Sequence, residues 1–247
     1  MLRWRPPAPH SPCGRILLLG HGAGSNVRRP LLGGIAAALA GRGDTVVGFN
    51  FAYAEAGRRF PDPAARLEAA FRDALGPVAR HRTEGEAGWP LVLGGRSMGG
   101  RIASHLAAQG VPCAGLALLG YPLHPAGRPD RLRTGHWRAL RALRVPLLFV
   151  QGDRDRLCDL ELLERERRLL GDAPVRLHVL DGADHEFRVR GRVPAEVAAE
   201  VAEVVAAWAA SLPVPPLVRS EDFRDAGPEP TAGGSLGAPK TDRVKQL

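Results

Sequence analysis

The chain has 247 residues, enough for one α/β domain with an extension or for two small domains, and its 45% hydrophobic residues are ample for one buried core. Its net charge of +8 comes almost wholly from arginines spread along the chain; with aromatics at 5% and no basic run interleaved with them, nucleic acid is not an expected partner. No apolar stretch is long enough to span a bilayer, and Arg3 and Arg5 lead into prolines rather than an apolar signal core, so the expectation is a soluble cytoplasmic protein with no membrane partner.

Short apolar runs alternate with longer amphipathic stretches. The first run, Arg15–Gly20, reads as a buried strand and opens into the glycine-rich turn Gly20-His21-Gly22-Ala23-Gly24-Ser25-Asn26. Leu31, Leu32, Ile35 and Leu39 then share one helical face, and Gly41 and Gly43 stop that helix. A strand over Thr45–Phe51 follows. The next helix opens at Asp62 with Pro63 at its first position, and its apolar face is Leu67, Phe71, Ala74, Leu75 and Val78.

Leu91–Gly94 is a third strand, followed by a helix from Met98 to Gly110. Gly115–Gly120 and Pro146–Gln151 are further strands, with a short arginine-rich segment around Trp137 between them. A helix over Leu157–Leu170, a strand over Val175–Leu180 and a last helix from near Pro194 complete the series. The buried stripe of that last helix is Val197, Val201, Val204, Val205 and Trp208. Continuous apolar strands bounded by Gly and Pro suit a sheet covered on both faces, and strands alternating with helices give a doubly wound, mostly parallel sheet. The domain is expected over residues 13–212. Residues 213–247, rich in Pro, Gly and charge and without periodicity, read as a disordered tail.

The turn between the third strand and its helix carries the chemistry. A serine hydroxyl needs a base to take its proton, a group to orient that base, and donors for the oxyanion. Gly95-Arg96-Ser97-Met98-Gly99 is a GxSxG turn, in which flanking glycines relieve clashes around a nucleophile held out at the C-terminal edge of a sheet. A chain with 30 glycines can produce that pattern by chance, so the strand before it and the helix after it are what make Ser97 the candidate nucleophile. The oxyanion donors are expected from the Met98 N–H and from the loop after the first strand, with Ala23 first and Gly22 next. The acid should follow a later strand. Asp155 is preferred for its place further out on the loop, Asp153 is the runner-up and Asp159 a distant third; the alternative role for Asp155 or Asp153 is a helix N-cap ahead of Leu157. His185, beyond the last strand, is the expected base, whereas His178 lies within the strand and reads as packing.

Arg96 and Arg101 flank the turn and could attract an anion, but pairing with surface carboxylates is the simpler account of both. Cys13, Cys113 and Cys158 show neither disulfide nor zinc spacing and read as free thiols. No set of His, Cys, Asp and Glu has metal-ligand spacing, and neither a metal nor another cofactor is expected.

The stretches Gly20–Asn26, Phe49–Arg59, Gly94–Gly99, Gly120–Pro125, Gln151–Asp155 and Asp184-His185 resemble, in order, the α/β-hydrolase-like family of the NSL-complex subunit 3 and testis-expressed protein 30 type. That family has many bacterial, dienelactone-hydrolase-like members. The resemblance implies an α/β-hydrolase fold with Ser97, Asp155 and His185 as nucleophile, acid and base. It says little of substrate; the Ser97, Asp155 and His185 constellation itself points to a hydrolase of a small-molecule carboxylic ester or related acyl substrate. The alternative is a hydrolase fold kept as a binding or scaffold module. Two departures stand out: too little chain precedes Arg15 for the usual leading pair of strands, and Tyr121–Val145 is too short for a large lid. The sequence leaves the oligomeric state open.

Overall fold

The computed structural model describes residues 1–5, 14–83 and 89–213 of the chain. Cys13 and nearly all of the expected tail lie outside the described residues. Among those described, seven strands form one sheet: β1 (Leu2–Trp4), β2 (Ile16–Gly20), β3 (Thr45–Phe49), β4 (Leu91–Arg96), β5 (Gly115–Leu119), β6 (Leu147–Gly152) and β7 (Val175–Leu180). Their spatial order is β1-β3-β2-β4-β5-β6-β7. Every neighbouring pair is parallel except β1 with β3.

Among the described residues one strand, β1, precedes Arg15, where the sequence leaves too little chain for the usual leading pair. It is one antiparallel edge strand, pairing Leu2 with Gly48 and Trp4 with Val46. Three residues are too few to show an alternating pattern, so propensity alone could not reveal it.

Two layers of helices cover the sheet. α1 (Pro30–Gly41) and α7 (Pro194–Ala210) lie on one face, where Leu32, Ile35 and Leu39 pack with Val197, Val201 and Val205 over Leu17, Leu19 and Val92. The other face carries α3 (Ala64–Thr83), α4 (Met98–Ala108) and α5 (Trp137–Leu143), with α6 (Leu160–Glu166) at its edge. Phe71, Leu106, Trp137 and Leu163 pack there over Leu18, Leu93 and Phe149. A one-turn helix, α2 (Ala52–Glu55), was not visible as a pattern because four residues make one turn. α6 starts later than the sequence pattern predicts because Asp159 Oδ1 accepts the Leu162 N–H at 2.9 Å and caps the helix there; the remainder of the expected helix is a 3₁₀ turn, Arg167–Leu170. His178 sits on β7 with its Nε2 3.0 Å from Glu200 on α7, a polar pin rather than an apolar contact. None of the described helices is long and apolar enough to cross a membrane.

The chain leaves β2 toward β3 on one side and returns to place β4 on the other. The reversal opens a crevice beyond the C-terminal ends of β2 and β4, which is where a doubly wound sheet binds its ligands. Only one seven-residue helix, α5, lies between β5 and β6, so among the described residues no large insertion from that connection roofs the crevice.

The turn after β4 is packed directly on the end of β2. A Cβ at Gly95 would fall 2.1 Å from the Gly20 carbonyl oxygen, with a backbone φ of +145° that L side chains rarely adopt. Gly99 faces the same oxygen, at 2.2 Å. Backbone cannot move aside as a flexible side chain can. Gly95→Ala is therefore expected to destabilise the fold by at least about 4 kcal/mol, the range of severe overpacking and strained φ/ψ together. Chemical denaturation measures it, and an unchanged midpoint would contradict this account of the turn.

Candidate active site

Each expected site residue can be placed by the element that carries it. Ser97 joins β4 to α4 and has φ +51°, a conformation uncommon for a residue with a side chain. The strain holds Oγ outward over the crevice while the residue stays mostly buried, 8% exposed. Asp155 follows β6, and His185 lies in the loop after β7.

The three side chains meet although they come from separate parts of the chain. Ser97 Oγ is 3.0 Å from His185 Nε2, and His185 Nδ1 is 2.7 Å from Asp155 Oδ2. A carboxylate only accepts, so His185 Nδ1 is the donor in that pair, and Nε2 is left unprotonated to accept from the serine hydroxyl. Asp155 is held from two further directions. Gln151 Nε2 donates to Oδ2 at 2.6 Å, and the Leu157 N–H donates to Oδ1 at 2.7 Å. The carboxylate is closed off from solvent, while the His185 side chain keeps 20% of its surface. Asp153 is solvent-exposed on the same loop, and Asp159 is occupied as the cap of α6.

The loop after β2 lies over Ser97. A Cβ added to Gly22 would sit 3.5 Å from Ser97 Cβ. The Gly22 carbonyl turns inward and collects three donors: His21 Nδ1 at 2.8 Å, the Ser25 N–H at 3.2 Å and Tyr53 Oη at 3.4 Å. His21 Nε2 in turn accepts the Phe51 N–H at 3.1 Å, so its Nδ1 carries the proton. Burial lowers the His21 pKa, against smaller opposing effects from the Gly22 carbonyl and Glu55, and keeps this neutral form. In a trans peptide the carbonyl and the next N–H point opposite ways. Drawing the Gly22 carbonyl into the protein therefore turns the Ala23 N–H away from it, toward the crevice. Neither the Ala23 nor the Met98 N–H has a hydrogen-bond partner among the described residues. The Met98 N–H is also the first of α4, at the positive end of an 11-residue helix.

The sequence alone did not single out His21 and Tyr53 as the side chains that hold the Gly22 carbonyl. Their signal was the pairing of an oxyanion-type loop with an aromatic stretch thirty residues on, which has meaning only once the two strands are known to be neighbours.

Arg96 keeps only a long pairing with a surface carboxylate and is itself enclosed. It is buried, 6% exposed, and its nearest carboxylate oxygen, Glu186 Oε1, is 4.0 Å away on an exposed side chain. Arg101 is half-buried, with Nη1 3.5 Å from His105 Nε2. Cys113 and Cys158 are free thiols. No cluster of three or more metal-ligating side chains occurs among the described residues.

Comparison with known proteins agrees with this architecture. The family model described as an alpha/beta hydrolase domain matches residues 14–212. An α/β serine hydrolase homologue from Coxiella burnetii superposes with a TM-score of 0.65 at 20% identity, covering 83% of this chain and 89% of that one. A lidless α/β serine hydrolase from Xanthomonas campestris gives 0.60 at 21% identity, over 87% and 89% of the two chains. A thermophilic esterase from Thermogutta terrifontis, in its butyrate-bound form, gives 0.63 at 19% identity, over 83% and 86%. At such identities the likeness speaks for the fold.

Proposed function

This chain belongs to the alpha/beta hydrolase domain family, and we propose that it is a serine hydrolase acting on a carboxylic ester or related acyl substrate. The observation that carries the proposal is the unbroken hydrogen-bonded series Ser97–His185–Asp155, at 3.0 and 2.7 Å. Ser97 Oγ attacks the acyl carbon as His185 Nε2 takes its proton. Asp155 fixes the imidazole and stabilises the imidazolium that forms. The Met98 and Ala23 N–H groups receive the oxyanion; Gly22 offers the approach rather than the donor. Collapse of the tetrahedral intermediate passes the proton from His185 to the departing alcohol. Water, activated by the same imidazole, then releases the acid and restores Ser97. The chemistry needs no cofactor.

The narrower kinship with the NSL-complex subunit 3 and testis-expressed protein 30 type, and its dienelactone-hydrolase-like bacterial members, belongs to this proposal. So does a cytoplasmic setting. In support of the kinship, the stretches that carry it brace the crevice: Asn50 Oδ1 accepts the Val27 N–H at 2.8 Å, and Tyr53 reaches the Gly22 carbonyl.

With no large insertion over the crevice, the substrate is small or polar. Nitrophenyl esters of rising acyl length test this. Turnover is expected to be greatest for acetyl and butyryl esters and to fall with longer chains. A clear preference for long chains would overturn the small-substrate reading, and no turnover of any ester would favour a fold kept for binding.

A further inference from the structure

We propose that Arg96 is a positioning residue for the base, its buried guanidinium locking the His185 loop onto the nucleophile turn. The inference rests on the Ser97–His185–Asp155 reading and extends it to a residue outside that trio.

Arg96 is the last residue of β4 and directly precedes Ser97. Its side chain does not reach into the crevice. It runs beneath, where three chain segments meet. Nη1 donates to the carbonyl oxygens of Leu119 at 3.3 Å and Gly120 at 3.5 Å, at the end of β5. Cζ lies 4.7 Å from the centroid of the Phe187 ring, a cation–π contact with the second residue after His185. Nη2 faces Glu186 at 4.0 Å. One side chain thus touches the turn that carries the nucleophile, the neighbouring strand end and the loop that carries the base.

The surroundings are shaped to admit it. Gly120 has φ +65°, and a Cβ there would fall 2.4 Å from Arg96 Nη1 and 3.3 Å from Phe187 Cε1. Phe187 itself has φ +57°, is 2% exposed and donates its N–H to the Asp184 carbonyl at 2.9 Å. A large residue in a left-handed conformation is costly unless its neighbours hold it. The guanidinium, stacked on the ring, is the neighbour that does so.

Two other roles fit less well. Nε and Nη2 are shielded from solvent and have no hydrogen-bond partner among the described residues, so an anionic substrate cannot reach them. The same two unmatched donors make the cation a poor source of stability. Burial works against its charge, and Glu186, Asp155 and Asp184 offset that only in part. An apolar side chain of similar length would fill the space without the desolvation cost. What that side chain could not do is hold the Leu119 and Gly120 carbonyls and the Phe187 face at once.

Arg96→Met separates geometry from stability. With an activated ester, kcat is expected to fall about 10- to 100-fold, the scale of a displacement of order one ångström in a catalytic group. KM should stay within about twofold, because the oxyanion loop and crevice are untouched. The melting temperature should hold or rise. The low-field proton resonance of His185 Nδ1–H, bonded to Asp155, should be sharp in the wild type and broadened or lost in the variant, and this readout needs no turnover. Arg96→Lys, which keeps a cation and a donor, should recover part of kcat. Phe187→Leu, which removes the ring face, should reproduce the kcat loss and carries the test if the methionine variant does not fold. An Arg96→Met protein with wild-type kcat and resonance would overturn the proposal. So would one in which kcat and melting temperature fall together with no recovery by lysine. Absence of Ser97-dependent turnover in the wild type would instead sink the serine-hydrolase reading beneath it, a distinguishable result.

Discussion

Replacing Ser97 by alanine is expected to lower turnover of an activated ester by roughly a millionfold, the scale seen when a serine nucleophile is removed from a working triad. In the proposed mechanism the loss is this large because the three side chains act as a unit. With Oγ gone, His185 Nε2 has no alcohol to deprotonate, and Asp155 stabilises an imidazolium that never forms. The oxyanion donors remain, so a residual rate about 10³- to 10⁴-fold above water can persist through binding and charge stabilisation alone. Stability should change by less than about 1 kcal/mol, since the hydroxyl contributes one hydrogen bond to a partly buried imidazole and alanine keeps the same strained backbone. Kinetics at saturating ester together with a denaturation curve check both halves. A variant keeping more than about 1% of wild-type kcat would place the nucleophile elsewhere.

Asp155→Asn carries the second large effect, expected at about 10⁴-fold in kcat. Its cause can be followed atom by atom. The native carboxylate accepts from three donors: His185 Nδ1 and Gln151 Nε2 on Oδ2, and the Leu157 N–H on Oδ1. An asparagine has one acceptor oxygen and one donor nitrogen. If its oxygen keeps the Leu157 N–H, its NH₂ group faces His185 and Gln151. The imidazole must then turn its Nδ1 into an acceptor, which puts the proton on Nε2 and aims it at Ser97. In that tautomer the base cannot take the serine proton. If the amide flips, the Leu157 N–H loses its acceptor and meets a donor, at a cost of about 1–3 kcal/mol. KM should change little, because the substrate does not touch Asp155. Asp153→Asn should leave kcat near wild type, since that carboxylate is in solvent. A reversal of the two results would move the acid role to Asp153.

How far the sequence foretold this site depends on which relations are local. The strand–turn–helix that carries Ser97 was legible because the apolar run from Leu91, the GxSxG turn and the helix from Met98 are contiguous. The sheet was legible for the same reason: its central strands, covered on both faces, are unbroken apolar runs, and six of the seven lie where the sequence places them. β1 was not, since its three residues sit amid arginine and proline and depend on pairing with β3. Asp155 and Asp153 were separable only by which one the fold turns toward His185, a fact about the exit angle of the loop after β6. Arg96 shows the limit most plainly. An arginine in a glycine-rich turn reads as a surface charge, and only the position of Gly120 and Phe187 around it reveals a buried one.

The most direct measurement is the site of covalent capture. A fluorophosphonate is attacked at phosphorus and loses fluoride, so it marks a serine whose proton is being taken. Trypsin cleaves after Arg96 and after Arg101, isolating the fragment Ser97–Arg101, in which Ser97 is the sole hydroxyl-bearing residue. The account predicts one phosphonyl adduct per chain, on that fragment, formed rapidly in the wild type, absent in Ser97→Ala and slowed severely in His185→Ala. Folded wild-type protein that takes up no adduct, or carries it on another fragment, would contradict it.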